Sequence, residues 1–270
     1  MGRTARRFAR LRAAGRKALV PFITAGDPSL EATVPVMHAL VAAGADVIEL
    51  GVPFSDPMAD GPVIQHSSER ALARGAGLDR VLEMVREFRR SDDETPVVFM
   101  GYLNPVEVRG PQRYAAALAA AGVDGTLLVD LPPEEAAGYR SAFDAAGIDL
   151  ILLAAPTSSA ARMDLLRRHA AGYLYYVSYA GVTGADRLDS TRAGERLREL
   201  REGSNVPVVV GFGIRDADSA VRMSAQADGV VVGSALVQTM AAAGSPGEAA
   251  ELAAAFLRPL RQALDAQVPG

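Results

Sequence analysis

One pattern constrains this chain more than any other: an apolar run followed by an amphipathic stretch, repeated eight times. The runs, dominated by β-branched and leucine residues, cover 19–24, 46–50, 96–100, 126–129, 149–153, 173–178, 207–210 and 229–232. Between them lie longer Ala-, Arg- and Glu-rich stretches with helical periodicity, at 30–43, 78–90, 114–121, 134–146, 160–170, 193–202, 217–227 and 247–264. A strand that is apolar on both faces is buried on both faces, which is the condition of a parallel sheet covered by helices. Eight strand–helix units in a chain of 270 residues predict a closed (β/α)8 TIM barrel, one domain over 1–270, rather than an open doubly wound sheet. The open sheet would carry G-x-G-x-x-G after its first strand; here the segment is Thr24-Ala25-Gly26-Asp27-Pro28. Ala-Ala-Gly before the second, fourth and fifth strands reads as a repeated helix C-cap.

The ends and the charge narrow the class. Met1 to Gly26 is rich in Arg, superficially like a transit peptide, but Phe8 and Leu11 suit a short extra helix lying on the barrel. Net charge is −4, which disfavours a nucleic-acid partner. No apolar run approaches the ~20 residues that span a bilayer, so the expected setting is cytoplasmic with no membrane partner. The chain has no Cys, which removes disulfides, thiolate metal sites and a cysteine nucleophile.

Barrel chemistry sits at the carboxyl ends of the strands. There, strand two ends Val47-Ile48-Glu49-Leu50. A carboxylate in a buried strand is costly unless paired. It is either a structural partner of an Arg or an acid–base group with a raised pKa. The next loop, residues 51–61, is long and Pro/Gly-rich and carries Asp56 and Asp60. Asp60 is either a turn or helix cap or a second carboxylate returning toward Glu49. Three late loops hold glycines: Ser178 to Gly184, Gly211-Phe212-Gly213, and Gly233-Ser234 ahead of a helix. They are turn formers or a phosphate cradle at a helix N-terminus.

Elimination helps. Imine chemistry needs a lysine near the reacting carbon, and Lys17, the only lysine, precedes strand one and belongs at the opposite end. His38, His66 and His169 fall in helical patterns and end no strand, so no metal is expected. Cofactor-free acid–base catalysis on a phosphorylated substrate remains.

Pro21 to Pro28, residues 49–62, Gly181-Val182-Thr183-Gly184 and Gly211-Phe212-Gly213 together resemble the tryptophan synthase α subunit family, over almost the whole chain from Phe8 to Leu260. The resemblance implies retro-aldol cleavage of indole-3-glycerol phosphate to indole and D-glyceraldehyde 3-phosphate, without a cofactor, in L-tryptophan biosynthesis. It implies Glu49 as acid–base group and Asp60 at the indole N–H. It places Phe22, Tyr102, Leu127, Tyr175 and Phe212 around the indole. Gly184, Gly213, Gly233 and Ser234 would hold the phosphate, with Thr183 on the loop after strand six. It further implies an αββα heterotetramer with the β subunit, met near Pro53, Asp56 and Asn104-Pro105. Tyr179, where many members carry Arg, and Met100-Gly101 depart from the pattern. A free-standing indole-producing lyase and a catalytically silent regulatory subunit are the alternatives.

Overall fold

A computed structural model describes residues 1–177, 187–211 and 213–268, with side chains omitted at 187–193. Eight parallel strands close a barrel in sequence order: β1 Ala18–Thr24, β2 Ile48–Gly51, β3 Val97–Gly101, β4 Gly125–Leu128, β5 Asp149–Ala154, β6 Leu174–Val177, β7 Val208–Gly211 and β8 Gly229–Val232. β1 pairs with both β2 and β8, with Ala18 beside Gly229 at the seam. A Cβ on Gly229 would lie 2.6 Å from that of Ala18, so only glycine lets the two strands close there.

The helices are α1 Arg3–Ala13, α2 Thr33–Ala42, α3 Pro62–Ala73, α4 Leu78–Phe88, α5 Leu103–Arg109, α6 Pro111–Ala121 and α7 Ala136–Ala146. They continue with α8 Ala160–His169, α9 Arg187–Glu202, α10 Ala217–Ser224, α11 Ser234–Met240 and α12 Pro246–Asp265. The eight expected strands all form, their edges shifted by a residue or two. The Ala-Ala-Gly caps behave as expected at Gly122 and Gly147, which end α6 and α7 in the left-handed conformation.

Two helices were not foreseen. α3 follows the β2 loop and α5 follows β3, each with proline in its first turn or at its first position. The buried residues of α3 are Ile64, Ser67, Ser68 and Ala71. That is a helical stripe, but two serines hide it from a hydrophobicity reading. Ser67 is there to bond: its Oγ lies 2.7 Å from Thr24 Oγ1 at the end of β1. Arg70, on the same helix, grips the buried Asp27 with two bonds of 2.8 and 2.9 Å. α3 thus fixes where the β2 loop returns to the barrel.

At the amino-terminal end, aspartates just before three strands stitch neighbouring strands. Asp46, Asp124 and Asp228 accept the backbone N–H of Leu19, Val97 and Val208 at 3.0, 2.9 and 2.9 Å. Each also meets an arginine, Arg261, Arg89 and Arg201 respectively. α1 lies across this end with Phe8 and Leu11 buried, as the sequence predicted, and the Phe8 ring packs 5.7 Å from that of Tyr173 inside the barrel. No described helix is long and apolar enough to cross a membrane.

Candidate active site

Glu49 lies in β2 between Phe22 of β1 and Val98 of β3 in register. It has no exposed surface. Among the described residues it meets no arginine: Oε1 accepts a 2.6 Å hydrogen bond from the Tyr173 hydroxyl, and Oε2 has no partner. An unpaired carboxylate stripped of water holds its proton more tightly. Burial raises the Glu49 pKa to about 7, and the Tyr173 bond pulls back only part of that rise.

Asp60 closes the β2 loop. Its Oδ2 accepts a 2.9 Å bond from the Tyr102 hydroxyl, which in turn accepts the Ala59 N–H at 3.1 Å. Tyr102 is held flat by the Phe54 ring, 4.9 Å away and stacked. Burial raises the Asp60 pKa and the Tyr102 bond opposes it. Asp60, Phe22, Gly51, Phe54, Tyr102 and Val129 line one cleft at the carboxyl end of β1–β4. Leu127 belongs to the interior layer that also holds Phe22 and Tyr173.

Burial first, and then the charges of Glu49 and of Asp60, push the Tyr175 phenol pKa far up. Its ring also explains Gly211, because a Cβ there would collide with the Tyr175 hydroxyl. In the sequence Gly211 looked like part of a phosphate loop or a turn. In the barrel it makes room for Tyr175.

The remaining expectations divide. Gly233 caps α11 at the end of β8, Ser234 opens that helix, and Gly213 sits exposed with φ of 74°. All three are at the active end. Thr183, Gly184, Phe212 and Tyr179 lie outside the described residues. Met100 and Gly101 end β3, where their carbonyls accept the Val52 and Val129 N–H groups. His38 packs on Phe88 and bonds to Ser91, and His66 pairs with Glu69 on α3, so both are surface or packing groups. Lys17 is at the amino-terminal end, its Nζ 2.6 Å from the Ala227 carbonyl.

Tyr173 is the participant that sequence reasoning passed over. Its spacing of two from Tyr175 put both on one face at β6, and that was the available signal.

Residues 8–265 match the family model described as tryptophan synthase alpha chain. The chain belongs to that family. It is 69% identical over 96% of its length to a tryptophan synthase alpha chain of Xanthomonas euvesicatoria pv. vesicatoria, covering 97% of that protein. A tryptophan synthase alpha chain of Xylella fastidiosa strain M12 is also 69% identical, with 96% and 97% covered. Among solved structures, tryptophan synthase subunit alpha from Legionella pneumophila superposes with a TM-score of 0.91 at 46% identity, covering 98% of this chain and 99% of that one. A structure described for the tryptophan synthase a2b2 complex of Pyrococcus furiosus gives 0.83 at 38% identity, covering 91% and 98%. A tryptophan synthase alpha chain cleaves indole-3-glycerol phosphate, a lyase reaction.

Proposed function

We propose that Glu49 and Asp60 perform that cleavage in this chain, with Glu49 entering the reaction protonated and Asp60 ionised. Releasing indole requires a proton at indole C3 and removal of one from the adjacent side-chain hydroxyl. The C3–carbon bond then breaks, its electrons return to the indole ring, and the hydroxyl oxygen becomes the aldehyde of glyceraldehyde 3-phosphate. Glu49 gives the first proton and, once ionised, takes the second. A group with a pKa of about 7 can do both near neutrality, because neither form is scarce. Asp60 faces the positive charge that develops on the indole nitrogen when C3 is protonated. Its bond from Tyr102 favours the ionised state that role needs.

The observation that carries this reading is the unpartnered Oε2 of a fully buried Glu49. A structural carboxylate would have an arginine there. Phe22, Tyr102, Leu127, Tyr175 and Phe212 supply the apolar slot for indole. Thr183, Gly184, Gly213, Gly233 and Ser234 are assigned to the loops that hold the phosphate, an anion suited to the backbone N–H groups there. No cofactor enters the scheme. The chain works as one domain in the cytoplasm and pairs with a β subunit in an αββα tetramer. Asp56 and Asn104 are exposed and suit that contact, whereas Pro53 is buried and can only shape it.

Glu49→Gln keeps the side chain's size and removes its proton traffic. It is expected to fold and to lose indole release by several orders of magnitude, measured with and without the β subunit. Substantial remaining cleavage would refute the assignment.

A further inference from the structure

The amino-terminal end of the barrel holds a second cavity, remote from the carboxylates. It is about 140 Å³ and is lined on its charged side by Arg12, Arg16, Lys17, Arg201 and Asp228. A single water needs only ~10–15 Å³ on the same scale, so there is room for a polyatomic ion.

Its charges do not balance. Arg201 is paired with Asp228 at 3.1 Å and Arg16 with Asp265 at 2.9 Å. Among the described residues, Lys17 Nζ hydrogen-bonds only to the neutral Ala227 carbonyl, with Asp228 acting on it through space, and Arg12 has no ion-pair partner. The surplus of positive charge at this one cavity is notable in a chain of net charge −4. The cavity's apolar lining is Phe8, Leu11 and Pro207, so the half-buried Lys17 is less screened by water than the exposed Arg12 and Arg201. Lys17 registers the crowding. Its pKa is lowered first by burial and then by the charge of Arg201, with Asp228 opposing. An anion seated in the cavity would supply the missing charge and raise the Lys17 pKa again.

We propose that this cavity is a binding site for a phosphate group, held by Lys17, Arg12 and Arg201 at the amino-terminal mouth of the barrel. Guanidinium forks match tetrahedral oxyanions bidentately and the ammonium adds a point charge. A phosphate seated there ties α1, through Arg12, to the last turn of α9, through Arg201, since both side chains line the cavity. The group arrives either as the free ion or as a phosphomonoester, and the cavity's open side accommodates both.

Lys17 makes the test unusually clean, because protein labelled with [ε-13C]lysine gives one lysine side-chain signal. The catalytic end is first saturated with a non-cleavable indole-alkyl phosphate. Inorganic phosphate, glycerol phosphate and chloride at matched ionic strength are then titrated in separately. Phosphate is expected to move the Lys17 signal saturably and to raise its titration midpoint, while chloride produces no saturable change. Equal affinity for glycerol phosphate shows that the phosphate group itself is read; a weaker response than inorganic phosphate identifies the free ion. Arg12→Gln, which removes an exposed and unpaired side chain and leaves the fold intact, should weaken phosphate binding about tenfold. A response that follows ionic strength alike for every salt, or that is unchanged in Arg12→Gln, overturns the proposal.

Discussion

Replacing Tyr173 with Phe removes one oxygen and leaves the ring packed against Phe8, so it isolates the bond to Glu49. That bond, 2.6 Å long and fully buried, favours the ionised carboxylate. Hydrogen bonds to charged groups are worth about 1.5–3 kcal/mol, and ~1.4 kcal/mol corresponds to one pH unit. Losing it therefore moves the Glu49 titration up by about one to two pH units from its starting point of about 7. In the proposed reaction Glu49 begins protonated, so its ionisation sets the alkaline limb of the rate profile. At pH 8 only about a tenth of wild-type Glu49 is protonated; in the variant the share rises to roughly half or more. The assay is indole release against pH, read as kcat/KM so that the free enzyme's groups are reported. The alkaline midpoint should climb by about one to two units, with a somewhat lower plateau because a weaker acid donates less readily. An alkaline limb that stays in place, or moves down, would show that Glu49 does not set it or that Tyr173 does not hold it.

The companion change acts on the other limb. Tyr102→Phe removes the bond that holds Asp60 ionised, so the acid midpoint of the same profile should rise while the alkaline one stays; movement of the alkaline limb instead would reverse the two assignments. Glu49 also links stability to pH. Its pKa is about 7 folded against 4.5 unfolded, so the folded state binds the extra proton. That stabilisation is complete below pH 4.5 and disappears as pH rises through 7. The difference amounts to roughly 3 kcal/mol. Glu49→Gln, which cannot ionise, should therefore match wild type in urea unfolding at pH 4.5 and exceed it by up to about 3 kcal/mol at pH 9; equal stability at both pH values would mean that Glu49 is not desolvated.

Much of this was readable in the sequence because strand burial leaves a plain mark. Eight apolar runs predicted eight strands, and Glu49 was conspicuous as an acid in the interior of such a run, where Asp46 and Asp149 only open theirs. The residues that make it useful left weaker marks. Tyr173 reads as one more large strand residue until the closed barrel brings it, 124 positions away, onto Glu49. α3 escaped because half of its buried stripe is serine, chosen for the bond to Thr24 rather than for hydrophobicity. Asp124 and Asp228 look like ordinary loop acids and Asp46 like the first residue of a strand, and only strand pairing shows that each closes a neighbour's backbone. Gly211 was ambiguous for another reason, since a glycine that makes space for a ring and one that cradles an anion are identical on paper.

The central claim is that burial without a counter-ion holds Glu49 near neutrality. The direct measurement is the carboxyl 13C titration of Glu49 in glutamate-labelled protein, assigned by the signal missing from Glu49→Gln. The account predicts a midpoint close to 7. A midpoint in the ordinary range of about 4–5 would contradict it and leave Glu49 unable to act as the acid that starts the reaction.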